Sequence, residues 1–290
     1  NKKIMKIYRI VSSVVFMLTL NTANAQDDLL KELDSEVSTK QMTSAAFKGL
    51  QICSMQSTKV ASKNEWYFLV SHRFGDLTKG FDNFFGMDSA LTKIGALYGA
   101  TDWLTLGVSR HTYNKTYELS MKYRIANQYD NGFPVSIVGY NTMDINSDLE
   151  KKLYPSLKGS DRLAFSSQLI ISRKFSENLS LEMNPIYIHK NLYDPALEDK
   201  DNFILGVGGR YKVSKRMSIN AEYGARLNAV EKLNYHNPVS IGLDIDTGGH
   251  IFQMVLSNSQ AMNDVAYFTN ASGDWSGGGI YFGFNMYRVF

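Results

Sequence analysis

The chain has 290 residues, with 31 Lys+Arg against 28 Asp+Glu and a formal charge of +3. Four of the cations (Lys2, Lys3, Lys6 and Arg9) precede an apolar run from Ile10 to Leu20 and the small-x-small triplet Ala23-Asn24-Ala25, the layout of a secretory signal peptide over residues 1–25. Setting those four aside leaves 27 cations to 28 anions, a charge of −1. With no basic excess to neutralise phosphates, no nucleic-acid partner is expected.

After the leader no stretch approaches the roughly 18 to 20 apolar residues that a membrane-spanning helix needs. The single cysteine, Cys53, cannot close an internal disulfide, so the fold is not a stapled scaffold. Five prolines, 22 glycines and 12% aromatics suggest many short strands in an exported all-β protein.

In chain order, Asp27 to Gln41 has Leu29, Leu30, Leu33 and Val37 at helical spacing, with Asp27 and Asp28 placed to suit the helix dipole. Residues 26–60 are therefore expected to form a periplasmic N-terminal helix and pre-strand, and residues 61–290 a barrel. From about Trp66 the period becomes two. Between Thr116 and Ile125, Tyr117, Leu119, Met121, Tyr123 and Ile125 alternate with Thr116, Glu118, Ser120, Lys122 and Arg124. The same split recurs around Phe165, Leu205, Ile219 and Ile241. A soluble β-sandwich also alternates, so alternation alone decides nothing.

Three further features favour a membrane barrel. The strands run roughly 9 to 12 residues, as a tilted crossing requires, against a usual globular mode of about 5 to 6. Aromatic residues such as Trp66, Phe74, Trp103, Phe175, Tyr211 and Phe290 crowd the ends of the apolar faces, as an interfacial girdle would. Most connections alternate between very short, such as Thr101-Asp102 and Thr247-Gly248, and long, such as Asp144 to Ser160 and Ser259 to Gly278. That asymmetry is the one between periplasmic turns and extracellular loops. Only Thr112 to Asn114 and Ala126 to Gly132 depart from it. The expected fold is an all-β, closed antiparallel transmembrane barrel of about twelve strands with a short N-terminal helix, in the bacterial outer membrane. Phe282, Phe284, Met286 and Phe290 in the last strand form a terminal aromatic signal for membrane assembly, interrupted only by Arg288.

The leader followed by Asp27-Asp28-Leu29-Leu30, then Ala46-Phe47-Lys48-Gly49, Ser71-His72-Arg73-Phe74-Gly75-Asp76, Tyr98-Gly99-Ala100-Thr101-Asp102 and Asp246-Thr247-Gly248-Gly249-His250 carry a resemblance. So do Ser172-Arg173-Lys174-Phe175-Ser176, Gly208-Gly209-Arg210-Tyr211-Lys212 and Gly273-Asp274-Trp275. Over nearly the whole mature chain the sequence resembles the barrel proteins catalogued as domain of unknown function 5777, of Bacteroidota-type outer membranes. The resemblance implies an outer-membrane barrel and brings no substrate or catalytic residue with it.

Candidate chemistry is sparse. Asp246-Thr247-Gly248 matches the core of the aspartic-protease signature, but it occurs once and at a two-strand turn. His72, His111, His189, His236 and His250 show no close pairing of the metal-binding kind, and no serine is singled out with a base. No enzyme, metal or cofactor is expected. The informative residues are the charges on the polar parity, expected to line the lumen: Glu118, Lys122, Arg124, Arg162, Lys174, Glu182, Arg210, Lys212, Glu222, Arg226, Asp244 and Asp246. Seven cations against five anions can neutralise one another as a plug or line a narrow hydrated passage. The leading expectation is a passive, non-enzymatic narrow pore for small solutes. The alternative is a closed barrel acting as a structural or docking component of a cell-envelope complex. The expected partners are outer-membrane lipid and an envelope protein reached through the long loops or the N-terminal helix.

Overall fold

The computed structural model describes residues 42–43, 45–196, 198–228, 234–248 and 250–290. The expected signal peptide and the helix expected over Asp27–Gln41 lie outside the described residues.

Twelve strands follow one another: β1 (Trp66–Asp76), β2 (Leu91–Thr101), β3 (Leu104–His111), β4 (Thr116–Ala126), β5 (Ser136–Asn146), β6 (Leu163–Lys174), β7 (Leu179–Lys190), β8 (Asp201–Lys212), β9 (Met217–Arg226), β10 (Val239–Asp246), β11 (His250–Ser257) and β12 (Tyr281–Val289). Each pairs antiparallel with its neighbours in sequence, and β12 returns to β1, so the sheet closes with no free edge. Closure gives every strand a hydrogen-bonded neighbour on both sides, as a hydrocarbon environment demands of backbone groups. The period-two pattern survives in three dimensions. On β4, Tyr117, Leu119, Met121 and Ile125 are exposed, while Thr116, Glu118 and Lys122 are buried.

The two exceptional connections have local explanations. The tight link between β3 and β4 is a single 3-10 turn over Tyr113–Lys115, in which Asn114 and Lys115 take left-handed φ values of 48° and 44°. The longer link at the short-turn end, residues 127–135, is held by the N-terminal segment: Thr43 N donates to Gln128 O at 3.0 Å, and Met42 bridges Tyr129.

The largest departure from expectation concerns residues 26–60, read as periplasmic. Among the described ones, residues 46–61 lie inside the barrel, nearly all buried. They form a hairpin whose arms meet through Ser57 N to Leu50 O at 3.0 Å and Ile52 N to Met55 O at 2.8 Å. Its ends lie at the short-turn end, where Lys48 pairs with Asp246 and Lys63 N donates to Asp102 Oδ1 at 3.2 Å. A second segment enters from the other end. The long connection between β11 and β12 carries a short helix, α1 (Asp264–Thr269), and all six of its residues are buried.

Apolar side chains on the inward parity meet these intruders. Val138, Ile170, Ile186, Ile188, Ile204 and Val255 are buried on the inward parity. Met55, Val265, Tyr267 and Phe268 form one cluster with Ile186, Ile188 and Ile204, and Phe47, Ile52 and Cys53 pack on Val255. The barrel therefore has a hydrophobic core, assembled from wall, hairpin and inner loop.

Candidate functional site

The site is the occupied lumen. The hairpin tip, Ile52–Met55, turns tightly, so three consecutive backbone N–H groups point the same way. Glu222 on β9 receives all three: Cys53 N at 2.8 Å, Ser54 N at 2.8 Å and Met55 N at 3.1 Å. The Tyr267 hydroxyl of α1 donates to the same carboxylate at 2.8 Å, which joins hairpin, wall and inner loop at one buried charge. Successive N–H groups around an anion form a nest, and such charge-assisted bonds are the strong ones.

On the opposite wall Lys122 does the complementary work. Its buried ammonium donates to Leu50 O at 2.8 Å and Ser57 O at 3.2 Å, one carbonyl from each arm. Glu182, also buried, faces the Thr58 backbone and the Lys122 charge. Asn285 Nδ2 donates to Cys53 O at 2.7 Å, and Gln253 Nε2 to Ile52 O at 2.5 Å. The Arg73 guanidinium reaches Asn285 Oδ1 at 3.0 Å and Ser54 Oγ at 3.4 Å. Anchors on β1, β4, β9, β11 and β12 thus hold the hairpin from all around the lumen. The Cys53 thiol at the tip is pushed well above its ordinary range by burial and by the nearby Glu222 and Asp244 carboxylates. Burial, reinforced by the Glu118 charge, raises the Asp264 carboxyl of α1 to about 6.

The remaining expected lumen charges separate into groups. Glu118 accepts from Lys93 Nζ at 3.2 Å and Ser109 Oγ at 3.1 Å. Asp244 accepts from Ser218 Oγ at 3.2 Å and Gln253 Nε2 at 2.5 Å, while Arg210 Nε donates to Ser218 Oγ at 3.0 Å. Asp246 pairs with Lys48 of the N-terminal segment. Arg124, Lys174 and Lys212 are half-buried near the short-turn ends of their strands, and the Lys174 backbone holds Gln128. Arg226 and Arg162 lie at the long-loop end, donating to Tyr235 O at 3.0 Å and Asn146 O at 3.1 Å. Arg162 belongs to the 3-10 turn preceding β6 rather than to the strand. Asp246-Thr247-Gly248 is a turn, with Gly248 at φ 97°. Phe282, Phe284 and Met286 of the terminal strand stand on the outward parity, opposite buried Asn285 and Tyr287, and Phe290 is exposed.

The sequence reading missed Arg73, Lys93, Gln253 and Asn285. Each lies on the inward parity of its strand, but Arg73 is preceded there by Tyr67 and Leu69, which conceals the pattern. It also missed the hairpin, whose alternation is too short to register.

Among the described residues, two cavities border the hairpin and the inner loop. One of about 20 Å³ between hairpin and wall, beside Leu50, Gln56, Lys93 and Tyr140, has room for one water. The other, about 170 Å³, is a recess at the long-loop end between β5, β6 and α1, lined by Asp144, Arg162, Lys190 and Asn263 among others. No group of three or more His, Cys, Asp or Glu able to hold a metal occurs among the described residues.

A closed twelve-stranded barrel with an apolar exterior and a lumen filled by its own chain defines the class: a membrane-bound β-barrel with an internal hairpin. The chain belongs to the membrane bound beta barrel domain family (DUF5777), whose model matches residues 47–290 and so begins within the hairpin. No curated protein matches. Among solved structures it is similar to the KdgM porin, at 10% identity and a TM-score of 0.48, over 77% of this chain and 99% of that one. It is also similar to a triple mutant of the Rhodopseudomonas blastica porin, at 11% identity and a TM-score of 0.33, over 74% of this chain and 58% of that one.

Proposed function

We propose that this protein is a non-enzymatic, porin-like barrel of the bacterial outer membrane whose passage for small solutes is gated by its own N-terminal hairpin. The observation that carries this reading is the cradle of Glu222 and Lys122, which bind the hairpin through backbone atoms of residues 50–57. Withdrawal of the hairpin would leave Glu222, Lys122, Glu182 and Arg73 facing a hydrated path. Both signs are present, so such a path is only weakly ion-selective.

Planar-bilayer conductance tests the reading. The full chain is expected to show low, infrequent current. Glu222→Gln and Lys122→Met, which loosen the hairpin without removing it, are expected to raise open probability several-fold. Silence in all three would overturn the gated passage.

A second reading, a permanently closed barrel that serves as a structural or docking component of the envelope, is favoured by the apolar packing of Phe47, Ile52 and Met55. Under it the variants lose stability and never conduct.

A further inference from the structure

The lipid-facing exterior is not uniform. On β9 to β12 the outward side chains between the rims are aliphatic or aromatic, among them Ile219, Ala221, Ile241, Leu243, Met254 and Phe284. On β5 and β6 the same belt carries Asn141 and Ser167, the sixth of 11 and the fifth of 12 residues in their strands. They face each other in register, and Asn141 Nδ2 donates to Ser167 Oγ at 2.8 Å. Beside them are Gly139, with no side chain, and on β7 Pro185, which has no N–H to offer β6. The β6–β7 ladder is interrupted there, between its Gln168–Ile186 and Ile171–Met183 pairs. His72, the seventh of 11 residues of β1, also faces outward near that depth, but its ring is bonded to Thr92 Oγ1 at 2.9 Å and packed against Phe74 and Phe284. The remaining outward polar groups keep to the strand ends, as does Arg110, the last but one of β3.

Near mid-membrane, lipid tails give no partner to the rest of the Asn141 carboxamide, to the Ser167 hydroxyl or to a ladder broken by proline. We propose that the face formed by β5, β6 and β7 is the contact surface of a symmetric dimer of this chain within the membrane. Two copies in one membrane share an orientation, so their two-fold axis stands along the membrane normal and equal depths meet. Carboxamide and hydroxyl groups each both donate and accept, so Asn141 and Ser167 match their own counterparts at that depth. A cation or carboxylate there would repel its own copy. Gly139 and Pro185 lower the relief, as small residues do where membrane elements pack closely.

Oxidative cross-linking in reconstituted bilayers tests the proposal, because the native thiol, Cys53, is fully buried inside the barrel and stays silent. Ser167→Cys is expected to give a covalent species of twice the chain mass, and Leu243→Cys, four strands away on β10, none. In the otherwise native chain Asn141→Leu is expected to lower the dimer fraction several-fold, counted by single-molecule photobleaching, with the heat-dependent gel shift of a folded barrel retained. Equal cross-linking at both positions, a product of any other mass, or a native chain that counts as monomers would overturn it. The photobleaching count of the native chain decides the matter even if the cysteine variants fail to fold.

Discussion

Glu222 shows what one buried carboxylate does when its partners are backbone. It accepts three N–H groups and a tyrosine hydroxyl, so replacing it with a neutral amide of the same shape weakens several charge-assisted bonds at once. Glu222→Gln is expected to destabilise the barrel by about 1–3 kcal/mol in urea unfolding from detergent micelles. Lys122→Met strands two carbonyls and is expected to cost about 2–5 kcal/mol. Cys53 reports on both. Because its thiol is fully buried and its pKa is raised, thiolate forms only at unusually high pH. Maleimide labelling of the folded native chain is therefore expected to stay slow at pH 8. It should accelerate at least tenfold in either variant, as the tip meets water; equal rates would show that these side chains do not hold the hairpin. The parity of Glu118, Lys122, Glu182 and Glu222 was legible in the sequence because strands alternate strictly. Their partners were not, because a bond to a backbone N–H or C=O leaves no mark in residue types.

At the scale of elements, the hairpin and the inner loop fit where the wall is thinned. A Cβ on Gly99 would stand 1.8 Å from Ser62 O, where the hairpin's returning arm meets β2, and one on Gly208 would meet the flexible Cδ1 of Ile52 at 2.5 Å. Backbone cannot yield as a side-chain terminus can. Gly99→Ala is thus expected to destabilise more than Gly208→Ala, with about 1–3 kcal/mol for the former as overpacking; thermal unfolding of the pair checks the order. The inner loop carries a pH signature. The Asp264 carboxyl lies near 6 in the fold and near 4 when unfolded, so the folded state holds its proton more tightly. Stability is expected to fall as pH rises from about 4 to 6, and Asp264→Asn to flatten that part of the profile in urea titrations. Strand bounds were readable to within a few residues, since each strand must cross the same apolar thickness. The inward course of residues 259–273 was not, because a buried loop and an exposed one can share a composition of Ser, Asn, Ala and Gly.

The whole molecule depends on closure. Phe290 N donates to Trp66 O at 2.9 Å and Trp66 N to Phe290 O at 3.2 Å, so Phe290 ties β12 to β1. Deleting Phe290 is expected to lower the fraction of closed barrel several-fold, read as loss of the heat-dependent gel shift, while variants confined to the hairpin leave that shift intact. A filled lumen also changes what holds the cylinder. The apolar clusters around Met55, Phe47 and Leu50 give the barrel an interior of its own, so hairpin and wall are expected to unfold together.

By itself the sequence determined the barrel: twelve alternating segments, their neighbour-to-neighbour order, the outward aromatic ends and the parity of charges such as Glu118 and Glu222. All of these follow from the two-residue period and the fixed thickness to be crossed, which are local properties of the chain. Only the tertiary structure decided whether the cylinder is open. Occupancy of the lumen by residues 46–61 depends on contacts such as Cys53 with Glu222, 169 residues apart, and no local pattern encodes which interior a short segment will fill.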